Sequence, residues 1–196
     1  MKNKVLVFDD IIDLKYQEKI KKILLSDYQY KGYEFPWYFT QDVTSHKDIN
    51  SQKRSAFYHS YVKSGDDDNN TMGTIDSVFH NLFVPLLDSV CSKIGKQNVT
   101  IIKGRSFLQL PINFKGERED SPHIDTSDDH FVMLYYVCDS DGDTIIYNEQ
   151  EKSDSYTVQK RITPKQGRVV LFDGSYYHTA EQPINNIRCV VNYDLK

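Results

Sequence analysis

The sequence predicts a mainly β fold: a double-stranded β-helix, or jelly roll, packed by N-terminal helices. Three observations carry this expectation. Beyond residue 98, eight short β-rich runs alternate with Gly, Asp, Ser and Pro punctuation, a spacing that suits a sandwich or barrel. Two apolar stripes at helical spacing lie before residue 96, and the helical period disappears after it. The length of 196 residues suits one core, and a split near residue 96 would leave the first half without a core of its own. One domain over 1–196 is therefore expected, with 1–96 as helical support and 97–196 as the jelly-roll core.

In chain order, residues 4–8 form a short apolar strand candidate. Around Asp13, an N-cap candidate, Ile12, Tyr16, Ile20, Ile23 and Leu24 recur at helical spacing, ending near Ser26. An irregular tyrosine-rich stretch around Phe35-Pro36-Trp37-Tyr38-Phe39 follows, then the solvated run Gly65-Asp66-Asp67-Asp68-Asn69-Asn70. Ile75, Val78, Phe79, Leu82, Phe83, Leu86, Leu87, Val90 and Ile94 make the second helical stripe, bent at Pro85 and stopped at Gly95. The strand candidates are 99–110, 121–125, 131–137, 144–147, 156–162, 168–172, 177–180 and 187–193.

Composition narrows the function classes. Hydrophobic residues are 39% and charged residues 27%, the balance of an ordinary globular chain. No apolar run is long enough to cross a bilayer, and the N-terminus lacks a signal-peptide pattern. A net charge of −4 argues against a phosphate backbone as main partner. Cys91, Cys138 and Cys189 are an odd number without CxxC spacing, which argues against a disulfide framework and a thiolate zinc site. A cytoplasmic location is expected. Cys138 and Cys189 read as small core residues.

The chemistry-bearing residues lie in the second half. His123-Ile124-Asp125 places an imidazole and a carboxylate two residues apart, on one face if the segment is a strand. Alone this means little in an aspartate-rich chain: His46-Lys47-Asp48 repeats the pattern, but it has no strand-borne partner histidine and reads as a solvated loop. A three-ligand facial metal site needs a second histidine from a distant strand, and His178 supplies it. Arg188 follows ten residues later, sharing a strand face with Val190 and Asn192. A guanidinium in so apolar a run needs an anion, and its planar fork suits a carboxylate; an aspartate of the chain would satisfy it equally.

In order and spacing, His123-x-Asp125, then His178, then Arg188 resembles the signature of the Fe(II)- and 2-oxoglutarate-dependent dioxygenases. Flanking runs are similar to the prolyl 4-hydroxylase-like branch. Phe131-Val132-Met133-Leu134-Tyr135-Tyr136-Val137 resembles its apolar third strand, and Asp141-Gly142-Asp143-Thr144-Ile145-Ile146-Tyr147 its Gly-rich turn and following strand. Pro164-Lys165-Gln166-Gly167-Arg168-Val169-Val170-Leu171-Phe172-Asp173 resembles the run before its distal histidine. The similarity covers roughly residues 98–196.

The resemblance implies that His123, Asp125 and His178 bind Fe(II), and that Arg188 grips the far carboxylate of 2-oxoglutarate with help from the Tyr136 hydroxyl, Tyr135 pointing the other way. It implies an oxidoreductase that uses O2, with ascorbate as a candidate reductant, to hydroxylate an unactivated C–H bond. The substrate would be a prolyl residue of a protein or peptide, or alternatively a free amino acid or small metabolite; a non-catalytic jelly-roll binding module is the reading from another class. Nucleic acid is disfavoured, because the second arginine of the demethylase branch falls at Asp194. An intact Asp125 argues against halogenation. The charged stretch 113–121 departs from the family's compact pattern, and its nearby tyrosine has no counterpart, Leu110 or Asn113 falling nearest.

Other features have plainer readings. The aromatics of 28–39 with Phe57, Tyr58 and Tyr61 either line a substrate entrance or cover a sheet edge. Asp66-Asp67-Asp68 and the 139–143 aspartates lack calcium-loop spacing and read as loop and turn. His130 reads as a surface histidine.

Overall fold

The computed structural model describes residues 4–43, 54–64, 72–112 and 118–196. The elements run β1 (Val5–Phe8), α1 (Leu14–Leu25), β2 (Tyr38–Thr40), β3 (Ala56–Lys63), β4 (Thr74–Ile75), α2 (His80–Ile94), β5 (Ile101–Gln109), β6 (Phe131–Tyr136), β7 (Thr144–Tyr147), β8 (Val158–Ile162), β9 (Val169–Asp173), β10 (His178–Ala180) and β11 (Arg188–Leu195). The expected jelly roll is present. Its major sheet has the order β1-β9-β6-β11-β5-β3-β2, with β4 on β3, and its minor sheet the order β10-β7-β8, every pair antiparallel.

Alternation along the central strands builds two cores from one sheet. In β6, Phe131, Met133 and Tyr135 face the helices, where Ile20, Ile23, Leu24, Leu82, Phe83, Leu86 and Val90 meet them. Val132, Leu134 and Tyr136 face the other way, against Ile146 and Ile162 of the minor sheet. Burial on both faces removes any need for polar positions, which is why β6 and residues 169–172 of β9 read as continuous apolar runs. The helices are local in origin. Asp13 Oδ1 accepts from the Tyr16 amide at 2.9 Å, capping α1. Gly95, at φ 67°, closes α2 in the left-handed conformation, its amide reaching the carbonyls of Cys91 and Ser92. Neither helix is long and apolar enough to cross a membrane.

Three expectations need correction. The first half is not only helical support: β2, β3 and β4 lie there, and β3 pairs with β5 to widen the major sheet. The polar residues His59 and Ser60 interrupt β3, so its strand pattern is masked. Ile75 does not belong to the second helical stripe. It pairs with Val62 and is exposed, and α2 begins only at His80 and runs through Pro85. The run 121–125 is not a strand; His123 alone is bridged.

Gly104 sits where β3 shifts register against β5, and a Cβ there would fall 2.6 Å from Tyr193 Cε1 and 2.8 Å from Tyr61 Cε2. Both rings are fully buried and cannot retreat. Gly104→Ala is expected to lower the unfolding free energy by about 1–3 kcal/mol, read by urea denaturation at unchanged m-value.

Candidate metal centre

The site begins with two backbone hydrogen bonds. His123 and His178 form an antiparallel bridge, each amide donating to the other's carbonyl at 3.0 and 2.9 Å. Directly opposed residues send their side chains to one face, and the two rings stand 4.7 Å apart, centroid to centroid. Asp125 joins them from the loop beyond His123. One ligand atom from each of the three lies within 4.8 Å of the others, and Asp125 Oδ2 is 3.5 Å from His178 Nε2.

Each imidazole is oriented by its neighbouring backbone. His123 Nδ1 lies 3.2 Å from the Ser121 carbonyl, and His178 Nδ1 lies 3.2 Å from the Tyr176 carbonyl. A carbonyl only accepts, so each Nδ1 carries the proton and each Nε2 keeps a lone pair. Burial, with His178 adding to it against the pull of Asp125, lowers His123 to about 4 and keeps it neutral. Burial alone would raise the Asp125 carboxyl, but the Arg105 guanidinium together with His178 and His123 outweighs it and holds the group well below the usual range. The buried Asp125 Oδ2 accepts no hydrogen bond among the described residues and faces the lone pair of His178. Facing lone pairs call for a cation between them. Two imidazoles and one carboxylate are the donor set of a facial iron site, so the residues present fit such an ion.

Arg188 stands in the same cavity with His123, Asp125 and His178. Parity along β11 holds as expected: Arg188, Val190 and Asn192 all line the cavity. The guanidinium is buried, its Nε donating to the Gly142 carbonyl at 3.0 Å, Nη1 to Gln109 Oε1 at 3.0 Å and Nη2 to Thr144 Oγ1 at 2.8 Å. These three partners are neutral, and they leave two of its five N–H groups for an anion. Tyr136 stands one layer back and donates to Thr144 Oγ1 at 2.7 Å. Tyr135 points to the helix side, as expected. The two ends come from different sheets: Arg188 from the major one, His178 from the minor one.

Sequence reasoning missed several lining residues. Arg105, Phe107 and Gln109 alternate along β5 with the same parity as Arg188 and Val190 on β11, a signal that was legible once the strand was. Gln109 reaches Arg188, whereas Leu110 is exposed; Asn113 lies outside the described residues. His46 and Asp66-Asp67-Asp68 also lie outside them. His130 is not a surface histidine: it is buried, Nδ1 at 2.7 Å from the Asp128 carbonyl, and packs against Gly174. Asp141 caps a turn, accepting from the amides of Ile184, Asn185 and Asn186. Cys138 and Cys189 are buried. The aromatics divide: Phe35 and Tyr61 are core, while Tyr38, Phe39 and Tyr58 are exposed, and Tyr58 pairs with the cavity residue Phe107.

No family model and no curated protein matches the sequence. Solved structures do. The chain is similar to an oxidoreductase of the 2OG-Fe(II) oxygenase family from Burkholderia pseudomallei, with TM-score 0.70 and 10% identity over 100% of this chain and 86% of that one. It has the fold of the 2OG-Fe(II) oxygenases. A prolyl hydroxylase from Trichoplax adhaerens, in complex with a hypoxia inducible factor peptide fragment, aligns with TM-score 0.60 and 15% identity over 99% of this chain and 84% of that one. A viral collagen prolyl hydroxylase from Paramecium Bursaria Chlorella virus-1, in complex with 2OG, aligns with TM-score 0.57 and 10% identity over 99% and 96%. The prolyl 4-hydroxylase-like fold therefore extends over the helical half as well as the jelly roll.

One buried carboxylate in the cavity wall belongs to none of these ligands. Asp120 is paired with Arg54 Nε at 2.7 Å, and the same guanidinium donates to the carbonyls of Arg118 and Glu119 at 2.6 and 2.7 Å. Burial, opposed by Arg54 and Arg188, raises the Asp120 carboxyl from 3.8 to about 7. Because the folded-state value is the higher one, ionising Asp120 costs stability as pH rises through this window. Arg54→Met is expected to cost about 3–5 kcal/mol at pH 8, where the charge is left alone, and less at pH 5, where it takes up a proton. Chemical denaturation at the two pH values reads the difference.

Proposed function

We propose that the chain is an Fe(II)- and 2-oxoglutarate-dependent oxygenase that hydroxylates an unactivated C–H bond. The observation that carries this is the presence, in one cavity, of a His-Asp-His donor set and a buried guanidinium with N–H groups to spare. His123, Asp125 and His178 would hold the ion, and three protein donors leave its other positions to small molecules. When bound, iron and 2-oxoglutarate supply the oxidising power, with O2 consumed and succinate released.

The protein's own work is orientation and exclusion of water. The Ser121 and Tyr176 carbonyls fix the tautomers that aim both Nε2 lone pairs at one point. Arg188 would take the far carboxylate with its remaining N–H groups. Thr144 would stand beside that carboxylate, receiving hydrogen bonds from Arg188 and Tyr136 and free to donate its own proton. Tyr136 contributes to this end through Thr144. Val190 and Leu134 give the cavity its apolar wall.

A prolyl residue of a protein or peptide is our proposed substrate. Two neighbours bear this description in the names they carry, and the exposed Tyr58 pairs with the cavity residue Phe107, with exposed Tyr38 next to it on β2. A mass-shift screen that finds hydroxylation of a free amino acid or metabolite, and none of peptides, overturns that choice and leaves the reaction class standing.

The reaction class has its own test. Anaerobic titration of the protein with Fe(II) and 2-oxoglutarate is expected to give a charge-transfer band, and aerobic turnover to give succinate. His178→Ala should abolish the band. Arg188→Met should leave metal uptake intact and weaken 2-oxoglutarate by about 30-fold or more. Wild-type protein without band or succinate refutes the reading.

A further inference from the structure

We propose that Arg105 is a positioning residue for the metal centre: by holding Asp125 Oδ1 it turns Oδ2 toward the ion. This deepens the metal-binding reading above and rests on it.

The geometry gives each carboxylate oxygen a different fate. Arg105 Nη2 makes a short charge-assisted hydrogen bond to Asp125 Oδ1, while Oδ2 accepts none among the described residues and faces His178 Nε2 at 3.5 Å. Asp125 cannot orient itself. It lies on a loop rather than in a strand, so no sheet ladder fixes its backbone, whereas both histidines are fixed by their mutual bridge. The orienting group must therefore come from elsewhere, and β5 provides it.

Arg105 is well placed for that task. It sits mid-strand, between Asn192 of β11 and Ser60 of β3, so both edges of its backbone are held. Its guanidinium carbon lies 4.9 Å from the Phe107 ring centroid, a cation–π contact that restricts the plane of the fork. The Asp125 side chain is 3% exposed and that of Arg105 20%, so the bond forms where water competes little. A guanidinium opposite a metal-bound carboxylate repels the ion as well as orienting its ligand. Orientation wins if the carboxylate would otherwise swing, and that is what the loop placement of Asp125 implies.

Co(II), which does not oxidise in air, serves as the probe, with affinity measured by calorimetry and the visible spectrum recorded. Arg105→Met is expected to weaken Co(II) about 10–100-fold, the usual effect of removing a partner that orients a ligand. Arg105→Lys, which keeps a charged donor, should recover part of that loss and restore the spectrum toward wild type. In metal-saturated protein, 2-oxoglutarate affinity should stay unchanged, since the partners that hold Arg188 among the described residues are Gly142, Gln109 and Thr144, and not Arg105. If the Met variant does not fold by circular dichroism, Arg105→Gln takes its place with the same expectation. Wild-type Co(II) affinity in the uncharged variant overturns the proposal, as does an equal loss in the Lys and uncharged variants. Wild-type protein that takes up no Co(II) sinks the metal-centre reading itself, and this proposal with it.

Discussion

Everything at the site hangs on the reciprocal backbone pairing of His123 with His178. Without it the segment 118–125 is a loop of charged and polar residues with no apolar face to anchor it. With it, two imidazoles from distant parts of the chain are fixed on one face of a two-bond bridge, 4.7 Å apart. The surrounding contacts serve this pairing. Asp120 donates its amide to the Ala180 carbonyl, Glu119 bridges to Glu181, and the Thr179 hydroxyl donates to the Asp120 carbonyl at 2.7 Å. Arg54, from the opposite sheet's margin, binds the carbonyls of Arg118 and Glu119. The loop is thus held to β10 almost as a strand would be, by polar bonds instead of hydrophobic burial.

The second constraint is the handling of buried charge. Arg188 and Asp125 both lie nearly out of reach of water, and neither is neutralised by a simple ion pair between them. Arg188 is supported by neutral acceptors, which hold its position without cancelling its charge. Asp125 is half satisfied by Arg105. Such incomplete compensation is costly in a resting core and makes sense where a charged guest completes it.

How much of this was legible in the sequence depends on whether local pattern or long-range pairing decides each feature. The helices and the strands of the jelly roll carry their own periodicity, and the Arg188 face followed from alternation alone. The His123, Asp125 and His178 grouping was legible through order and spacing. What escaped was set by partners far along the chain. β3 is a strand because β5 lies beside it, not because its residues alternate cleanly. Ile75 fits the helical stripe by spacing, yet Val62 claims it. His130 has polar neighbours in sequence but a buried place beside Gly174. Arg105 lay in a correctly read strand, but its meaning depends on where Asp125 falls, and nothing local fixes a loop carboxylate.

The two ends of the cavity belong to opposite layers of the roll, the guanidinium to one and the imidazole of His178 to the other. Those layers touch mainly through side chains, whereas strands within a layer share backbone bonds. A two-headed guest spanning the gap would act as a staple, fastening leaf to leaf. Its length would gauge the sandwich: a diacid one carbon longer would pry the leaves apart, and one carbon shorter would leave them slack.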